Sequence, residues 1–302
     1  MEVTVAVIAH DPEQFFAEAV RSVRSGTVRP DEVLLIRYTP GSPGHHTWED
    51  GTIEIDTEEK GLGAKLDLAL AWATGDVVCF LEDDDLFAPT KLDKVHHAFG
   101  LPGNPVFFHD PIAEKGNVIP ERAGGSLLCW WATGRPRGTN DVSVQAIRRH
   151  RLDSNVSSMV VDVRRFRDRD IRNLLRKTRI FADAALFASA LSTSRHGAAS
   201  LVSAMSPLTF CRPHAFHTMS RPELWVDATV EDAVRIARLT DHPWRQDILT
   251  GPLYKALTTG LASQPNVRAL TRERGGWDGV SWLGRMYGIA PGLAQRIFRR
   301  FG

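Results

Sequence analysis

The sequence predicts an α/β protein with a mainly parallel, Rossmann-like sheet flanked by helices and a mostly helical C-terminal extension. In the first hundred residues, apolar strand-like segments alternate with amphipathic helix-like ones, which is typical of a parallel sheet covered on both faces. The apolar runs are nearly continuous, as expected for strands buried on two sides. Because 302 residues are many for one compact core, we expect a larger domain over 1–220 and a helical region over 221–302.

The first predicted strand is VTVAVIA, and the first helix follows it in DPEQFFAEAVRSVRSG. Asp11 before Pro12 is a suitable N-cap, and Gly26 is a suitable end of the helix. The next predicted strands are EVLLI and TIEID, separated by YTPGSPGHHTWEDG, whose glycine and proline content predicts a loop.

The remaining predicted elements follow in chain order. They are the helix GLGAKLDLALAWATG, the strand DVVCFL, the helix PTKLDKVHHAF, the strand PVFFHD, a hairpin around Lys115–Asn117, the strand SSMVVDV, a basic segment RRFRDRDIRNLLRKTR and the helix DAALFASALS. From about residue 221 the pattern is one of helices and loops.

Charge and composition exclude several classes of function. A net charge of +1 gives no reason to expect nucleic acid as a partner. The three cysteines show no metal-ligand spacing and are expected to be reduced, in a cytoplasmic protein. No basic segment precedes the first apolar run, and no segment approaches the roughly 18 apolar residues that cross a bilayer.

Four consecutive carboxylates, Glu82 to Asp85, directly follow the strand DVVCFL. In an open parallel sheet, ligands bind beyond the carboxyl ends of the strands. Alternation along an extended chain places Glu82 and Asp84 on one side and Asp83 on the other. Two carboxylates on one side suit Mg²⁺ or Mn²⁺, which leave room for phosphate oxygens. The alternative is an acidic loop that caps the helix beginning near Pro89.

Several motifs, taken in order, resemble those of family 2 glycosyltransferases, which have the nucleotide-sugar-binding GT-A fold. VTVAVIAHDPEQFFAEAVRSVRSGTVRPDEVLLI resembles the opening strand–helix–strand of that family, and GLGAKLDLALAWATGDVVCFLEDDDLFAPTKL resembles its second helix and Asp-x-Asp metal strand. SSMVV, FADAALF and PLTFCRPHAFHTMS then occur in the family's order, so the resemblance covers roughly residues 3–220. It implies that 1–220 is the catalytic domain of an inverting, metal-dependent enzyme that uses a UDP- or GDP-sugar.

The resemblance also implies site residues. Asp183 falls at the position of the catalytic base, and Glu82 and Asp84 fall in the metal element, with Asp84 the expected direct ligand of Mn²⁺ or Mg²⁺. His214 matches a histidine that approaches the metal or the diphosphate. The predicted donor-binding residues are Ala9, His10, Tyr38, Asp67, Asp83 and Arg212. Asp183 as a simple helix N-cap and His214 as a structural loop residue are the alternatives.

The chain departs from the family at three places. Arg37 and Tyr38 stand where the family commonly has an acidic residue that contacts the nucleotide base, and Tyr38 is an alternative stacking partner for the base. Leu66-Asp67 replaces the family's Arg-Asn pair, and His10-Asp11 replaces its Tyr-Asn. The identity of the base and the sugar is therefore left open.

Two basic segments have two interpretations each. Residues 164–179 either attract an anionic acceptor or form a solvated helix that pairs with its own acids. The C-terminal PGLAQRIFRRFG is an amphipathic helix that either lies on the inner face of a membrane or packs on the protein. The expected acceptor is a glycan or a lipid-linked glycan.

Two rival functions remain. A sugar nucleotidyltransferase is expected to carry a glycine-rich, basic signature after the first strand, and AHDPEQ lacks one. A degenerate, non-catalytic nucleotide-sugar-binding module is favoured by the altered second-strand end, whereas the acidic run, Asp183 and His214 argue against it.

Overall fold

A computed structural model of the chain describes residues 1–9, 15–114, 126–131, 142–193, 200–212, 222–258 and 265–274. The strands are β1 (Val3–Ala9), β2 (Glu32–Tyr38), β3 (Gly44–Thr47), β4 (Ile53–Thr57), β5 (Val77–Glu82), β6 (Asp85–Phe87), β7 (Pro105–His109), β8 (Ile112–Glu114), β9 (Leu127–Trp131), β10 (Met159–Asp162), β11 (Ser200–Ala204) and β12 (Thr209–Cys211). The helices are α1 (Phe16–Arg24), α2 (Leu62–Trp72), α3 (Lys91–Phe99), α4 (Val144–His150), α5 (Val163–Phe166), α6 (Arg169–Lys177), α7 (Ala182–Thr193), α8 (Pro222–Leu239), α9 (Arg245–Thr258) and α10 (Pro265–Arg274).

The described strands form a large sheet with the order β3-β4-β2-β1-β5-β10-β7-β11-β9 and a small sheet with the order β6-β12-β8. β4, β2, β1 and β5 run parallel, and β10 is inserted antiparallel between β5 and β7. The predicted α/β class, a large central sheet flanked by helices, is confirmed.

Helices cover both faces of the large sheet, which explains why β1 is apolar almost throughout. Alternate β1 residues such as Val5 and Val7 share a core with Val23 of α1 and Val95 of α3. On the other face α2 packs on β1, β2 and β5, and α7 packs on β7, where the rings of Phe107 and Phe187 lie 5.7 Å apart. A strand buried on both faces has no solvent-facing positions for polar residues.

Gly63 allows α2 to lie very close to the end of α6. A Cβ atom built on Gly63 would lie 2.3 Å from the carbonyl oxygen of Leu175 and 2.5 Å from that of Thr178. Both atoms belong to the backbone, so neither can rotate away. Glycine is the residue that this approach permits.

The structure differs from the sequence-based predictions at several elements. The segment predicted as a loop between β2 and β4 contains β3, which pairs antiparallel with β4. All four residues of β3 are exposed, so no apolar pattern in the sequence indicates this strand. α4, β9, β11 and β12 were not predicted either. The predicted cap at Asp11 and the turn of the predicted hairpin at Lys115–Asn117 lie outside the described residues; β8 pairs parallel with β12.

The chain divides into two compact units, one of Met1–Thr178 with Ala182–His214 and one of Arg179–Phe181 with Ala215–Gly302. Within the second unit α8, α9 and α10 pack on one another, and Trp244 is fully buried. The buried carboxylate of Asp232 accepts the backbone N–H groups of residues 179, 180 and 181 at 3.0, 2.8 and 3.2 Å. Among the described helices, none is both long and apolar enough to cross a membrane.

Candidate functional site

The carboxyl ends of β1, β2 and β5 meet at one edge of the large sheet. Ile8 pairs with Glu82 on one side, and Ala9 pairs with Arg37 on the other. The three strand ends that carry the predicted donor-binding residues Ala9, Tyr38 and Asp83 are therefore neighbours. This edge is where open α/β sheets bind ligands.

The four carboxylates form a turn between β5 and β6, here called the acidic turn (Glu82–Asp85). Their exposure alternates: Glu82 and Asp84 are partly exposed, whereas Asp83 and Asp85 are 4% and 2% exposed. The backbone holds the turn in place, because the N–H of Asp83 donates to the carbonyl of Ile8 at 3.0 Å. The N–H of Glu82 donates to the hydroxyl of Ser157 at 2.9 Å. Two carboxylates thus face outward and two face inward.

Each inward carboxylate has a compensating neighbour. The ammonium group of Lys65, on α2, is buried and donates to the carbonyl of Ala9 at 2.7 Å. Burial lowers the pKa of Lys65, while the charges of Asp83 and Glu82 raise it. Asp85 accepts a hydrogen bond from the amide of Asn155 at 3.2 Å. Burial, followed by the charge of Glu82, raises the pKa of Asp85 to about 7.

Arg212 holds the acidic turn through its backbone. Its guanidinium donates to the carbonyl of Asp84 at 2.7 Å and to that of Asp83 at 2.6 Å. It also donates to the carbonyl of Phe15 at 3.1 Å and pairs with Glu18 at 2.8 Å. The predicted donor contact of Arg212 remains a prediction, and its observed contacts give it a positioning role.

Asp183 lies in the first turn of α7, where the helix dipole favours a carboxylate. Its Oδ1 accepts the backbone N–H of Ala184 at 2.8 Å, and its Oδ2 accepts that of Asn155 at 3.2 Å. Burial raises its pKa to about 7 against the lowering effect of these two hydrogen bonds. The charge of Glu82 also raises this pKa, so the acidic turn acts on Asp183 electrostatically. A carboxyl with a pKa near 7 is suited to proton transfer at neutral pH.

Asp67 has other partners than a nucleotide. It is buried on α2, and its two oxygens accept from Arg172 at 2.6 and 3.2 Å and from Arg176 at 2.6 Å. Both carboxylate oxygens of Asp67 therefore bind arginines of α6 in this structure. The nucleotide contact that the sequence predicts for Asp67 stays a prediction. Arg164 likewise pairs with Asp76 at 3.3 Å, so these arginines bind acids of other elements, whereas the sequence predicted either an anionic acceptor or acids of the basic segment itself.

Tyr38 ends β2, and the ammonium of Lys60 lies 5.1 Å from the centre of its ring. Arg37, which stands in the family's acidic position, pairs with Glu54 and Asp56 of the adjacent β4. These pairs neutralise the positive charge that the sequence places there.

Two predicted residues, His10 and His214, lie outside the described residues. Within the described ranges no group of three or more His, Cys, Asp or Glu side chains is arranged to hold a metal ion. The outward Glu82 and Asp84 nevertheless fit Mg²⁺ or Mn²⁺ in one respect. Such ions commonly bind one or two carboxylates and complete their coordination with substrate phosphates and water.

Lys65, Ser157 and Asn155 were not among the predicted site residues. The one signal for Lys65 in the sequence is a lysine within the apolar pattern of a predicted helix. No periodic pattern indicates Ser157 or Asn155, which lie in the turn between α4 and β10. Cys211 pairs with Asp85 in the small sheet, and burial, followed by the charges of Asp85 and Asp84, raises the pKa of its thiol to about 12.

The predicted family resemblance is confirmed by comparison with known proteins. The family model for glycosyl transferase family 2 matches residues 44–132. The structure is similar to that of S. aureus TarS 1-349 in complex with UDP-GlcNAc, with 14% sequence identity, a TM-score of 0.62 and coverage of 99% of this chain and 92% of that one.

Two further structures of the same S. aureus protein are similar. The complex of TarS 1-349 with UDP shows 13% identity and a TM-score of 0.56 over 100% of this chain and 92% of that one. The longer TarS chain shows 15% identity and a TM-score of 0.60 over 99% of this chain and 55% of that one. No curated protein sequence matches the chain significantly. At these identities the likeness establishes the fold.

Proposed function

We propose that this chain, which carries a family 2 glycosyltransferase domain, transfers a sugar from a UDP-sugar to an acceptor hydroxyl with inversion at the anomeric carbon. UDP is favoured because the similar structures of TarS were solved with UDP-GlcNAc and with UDP. GDP-sugars, a glycan or lipid-linked glycan acceptor, a cytoplasmic location and membrane contact of residues 291–302 stay predictions.

Asp183 is the proposed catalytic base. It accepts the proton of the acceptor hydroxyl while that oxygen forms a bond to the anomeric carbon. The bond from the anomeric carbon to the diphosphate oxygen breaks at the same time, and the nucleoside diphosphate leaves with the electron pair. A carboxyl whose pKa lies near 7 exists in part as the base at neutral pH and holds the proton after transfer.

Glu82 and Asp84 are the proposed ligands of Mn²⁺ or Mg²⁺, with His214 as a further predicted ligand. A bound ion of this kind would offset the negative charge that develops on the departing diphosphate. The inward Asp83 and Asp85 are proposed to shape the turn, because Lys65, Arg212 and Asn155 engage this turn from the protein side. The donor contact of Asp83 that the sequence predicts stays a prediction.

One observation carries the proposal: the acidic turn and Asp183 are joined through a single residue. Asn155 donates to Asp85 through its side chain and to Asp183 through its backbone. The acidic turn and Asp183, which occur in separate motifs, therefore share a contact with one residue, although 98 residues separate Asp85 from Asp183. A chance resemblance of separate motifs gives no reason for this convergence.

The experiment is UDP release from UDP-GlcNAc and other UDP- and GDP-sugars with Mn²⁺, with water or a trial glycan as acceptor. Asp183→Asn is expected to retain UDP binding and to lose about a hundredfold or more in turnover, since general base catalysis contributes at that order. Asp170→Asn is the matched control, because Asp170 is an exposed acid in the first turn of α6. Equal turnover in Asp183→Asn and the wild type would remove Asp183 as the base. A wild type that binds UDP but releases none from any sugar supports the non-catalytic module instead.

A further inference from the structure

Asn155 occupies an unusual backbone conformation beside the site. Its φ and ψ are +66° and +108°, in a region that residues other than glycine rarely adopt. Such a conformation costs on the order of 1–3 kcal/mol and persists only where the surroundings enforce it. Asparagine is among the residues that best tolerate a positive φ. The strain marks this turn, which connects α4 to β10, as one that the fold holds in place.

Contacts on both sides of Asn155 enforce its conformation. His109, a buried residue of β7, has its Nε2 3.1 Å from the carbonyl oxygen of Ser154. Burial lowers the pKa of His109 to about 3, so the ring is neutral and its Nε2–H donates to this carbonyl. On the other side Ser157 and Ser158 are fully buried, and the carbonyl of Ser158 accepts the N–H of Asp110 at 3.3 Å.

The orientation of the Asn155 amide follows from its partners. Its Oδ1 lies 3.0 Å from the backbone N–H of Ser158, which is only a donor, so the oxygen must be the atom that faces it. The NH₂ group therefore faces Asp85, 3.2 Å from its Oδ2. The backbone N–H of Asn155 is directed at Oδ2 of Asp183, also at 3.2 Å. The amide oxygen, the NH₂ group and the backbone N–H each have a partner.

We propose that Asn155 is a positioning residue that fixes Asp183 relative to the acidic turn. The inference rests on the proposed function, in which Asp183 is the base and the acidic turn binds the donor. Asn155 acts through these two groups. The side-chain bonds of Asn155 to Ser158 and Asp85 hold the residue in the conformation in which its backbone N–H donates to Asp183, and in this way they fix where the proposed base lies. A base displaced by about 1 Å can lose a hundredfold in rate.

Asn155→Gly is the informative substitution, because glycine adopts a positive φ without strain and removes only the side-chain bridge. Asn104→Gly is the matched control. Asn104 also has a positive φ, of 48°, and lies exposed in the turn before β7. The turnover and KM of UDP-GlcNAc hydrolysis with Mn²⁺, the affinity for UDP with Mn²⁺, and hydrogen exchange of peptides covering 151–158 and 182–186 are measured in all three proteins.

Asn155→Gly is expected to lower kcat by about tenfold or more with KM and UDP affinity within about twofold of the wild type. Exchange should become faster in both peptides, and Asn104→Gly should match the wild type. A kcat within about twofold of the wild type, or an equal loss in Asn104→Gly, overturns the proposal, and so does a parallel loss of UDP binding. If the wild type hydrolyses no sugar nucleotide, the proposed function fails separately. Hydrogen exchange is then the deciding measurement. Unchanged exchange of the peptide 182–186 in Asn155→Gly overturns the proposal that Asn155 positions Asp183.

Discussion

The proton affinity of single carboxyl groups explains most of the proposed chemistry. Asp183 and Asp85 both have pKa values raised to about 7, mainly by burial. Asp183 lies in the first turn of a helix and accepts two backbone N–H groups, which restrain this rise. Asp85 accepts a hydrogen bond from the side-chain amide of Asn155 and lies opposite Cys211 in the antiparallel pair of β6 and β12. Burial thus raises the pKa of both the proposed base and the inward-facing Asp85 of the acidic turn.

The pH dependence of turnover should report Asp183. A base must be ionised, so kcat/KM for UDP-GlcNAc hydrolysis with Mn²⁺ should fall about tenfold per pH unit below the pKa of Asp183. That pKa is about 7 without the cation, and a bound cation lowers it, so the apparent value is expected between about 5 and about 7. Steady-state rates between about pH 5 and pH 8 measure it. A rate that stays constant down to pH 5 contradicts this assignment, and Asp170→Asn should follow the wild-type profile.

Among the residues of the site, only those in recognisable motifs could be predicted. Asp183 and the acidic turn occur in motifs that resemble a family, and the alternation of exposure within the turn follows from extended backbone geometry. Lys65 and Asn155 could not be assigned a role in this way. The partner of Lys65 is a backbone carbonyl 56 residues away, and the role of Asn155 depends on its φ, which no apolar pattern specifies.

The contact between α2 and α6 depends on a single glycine. Gly63→Ala is expected to destabilise the fold by about 1–3 kcal/mol, because the added Cβ meets two backbone carbonyl oxygens. Chemical denaturation measures the loss. Gly44→Ala is the control, since Gly44 lies in the exposed strand β3, where an added Cβ would meet no atom within 4 Å, and its stability should stay close to that of the wild type. Equal stability of Gly63→Ala and the wild type contradicts the close approach of α2 and α6.

The small sheet supports the acidic turn through Arg212, the residue that follows β12. Arg212→Lys keeps the charge, but a single ammonium cannot span the carbonyl oxygens of Phe15, Asp83 and Asp84. We expect the affinity for UDP with Mn²⁺ to fall about tenfold. Arg169→Lys, at an exposed residue of α6, is the control. Unchanged UDP affinity in Arg212→Lys contradicts a role of this residue in shaping the turn.

Elements with a strong apolar pattern were predicted, and short or exposed ones were not. β1, β2, β4, β5 and α2 lie where the sequence predicts them, since each buries an apolar face. β3 has four exposed residues and pairs with β4, and the ring of its His45 lies 5.1 Å from that of Trp72. β12 has three residues and depends on β6 and β8, far away in sequence. Such strands are defined by their partners, which a single sequence does not reveal.

At the scale of the whole molecule, the first unit carries every predicted site residue that the structure describes. Its large sheet brings the ends of β1, β2 and β5 together, and the turn before β10 links this edge to α7. The fold class followed from the alternation of strands and helices. The antiparallel insertion of β10 did not, because strand order depends on contacts between distant segments.

Calorimetric titration of UDP tests whether the acidic turn binds a nucleoside diphosphate together with a divalent cation. UDP should bind the wild type with Mn²⁺ and lose this affinity when the cation is removed or when Asp84 is replaced in Asp84→Asn. Asp93→Asn, at an exposed acid of α3, should bind as the wild type does. UDP binding of equal strength without Mn²⁺ and in Asp84→Asn would contradict the proposed role of the acidic turn.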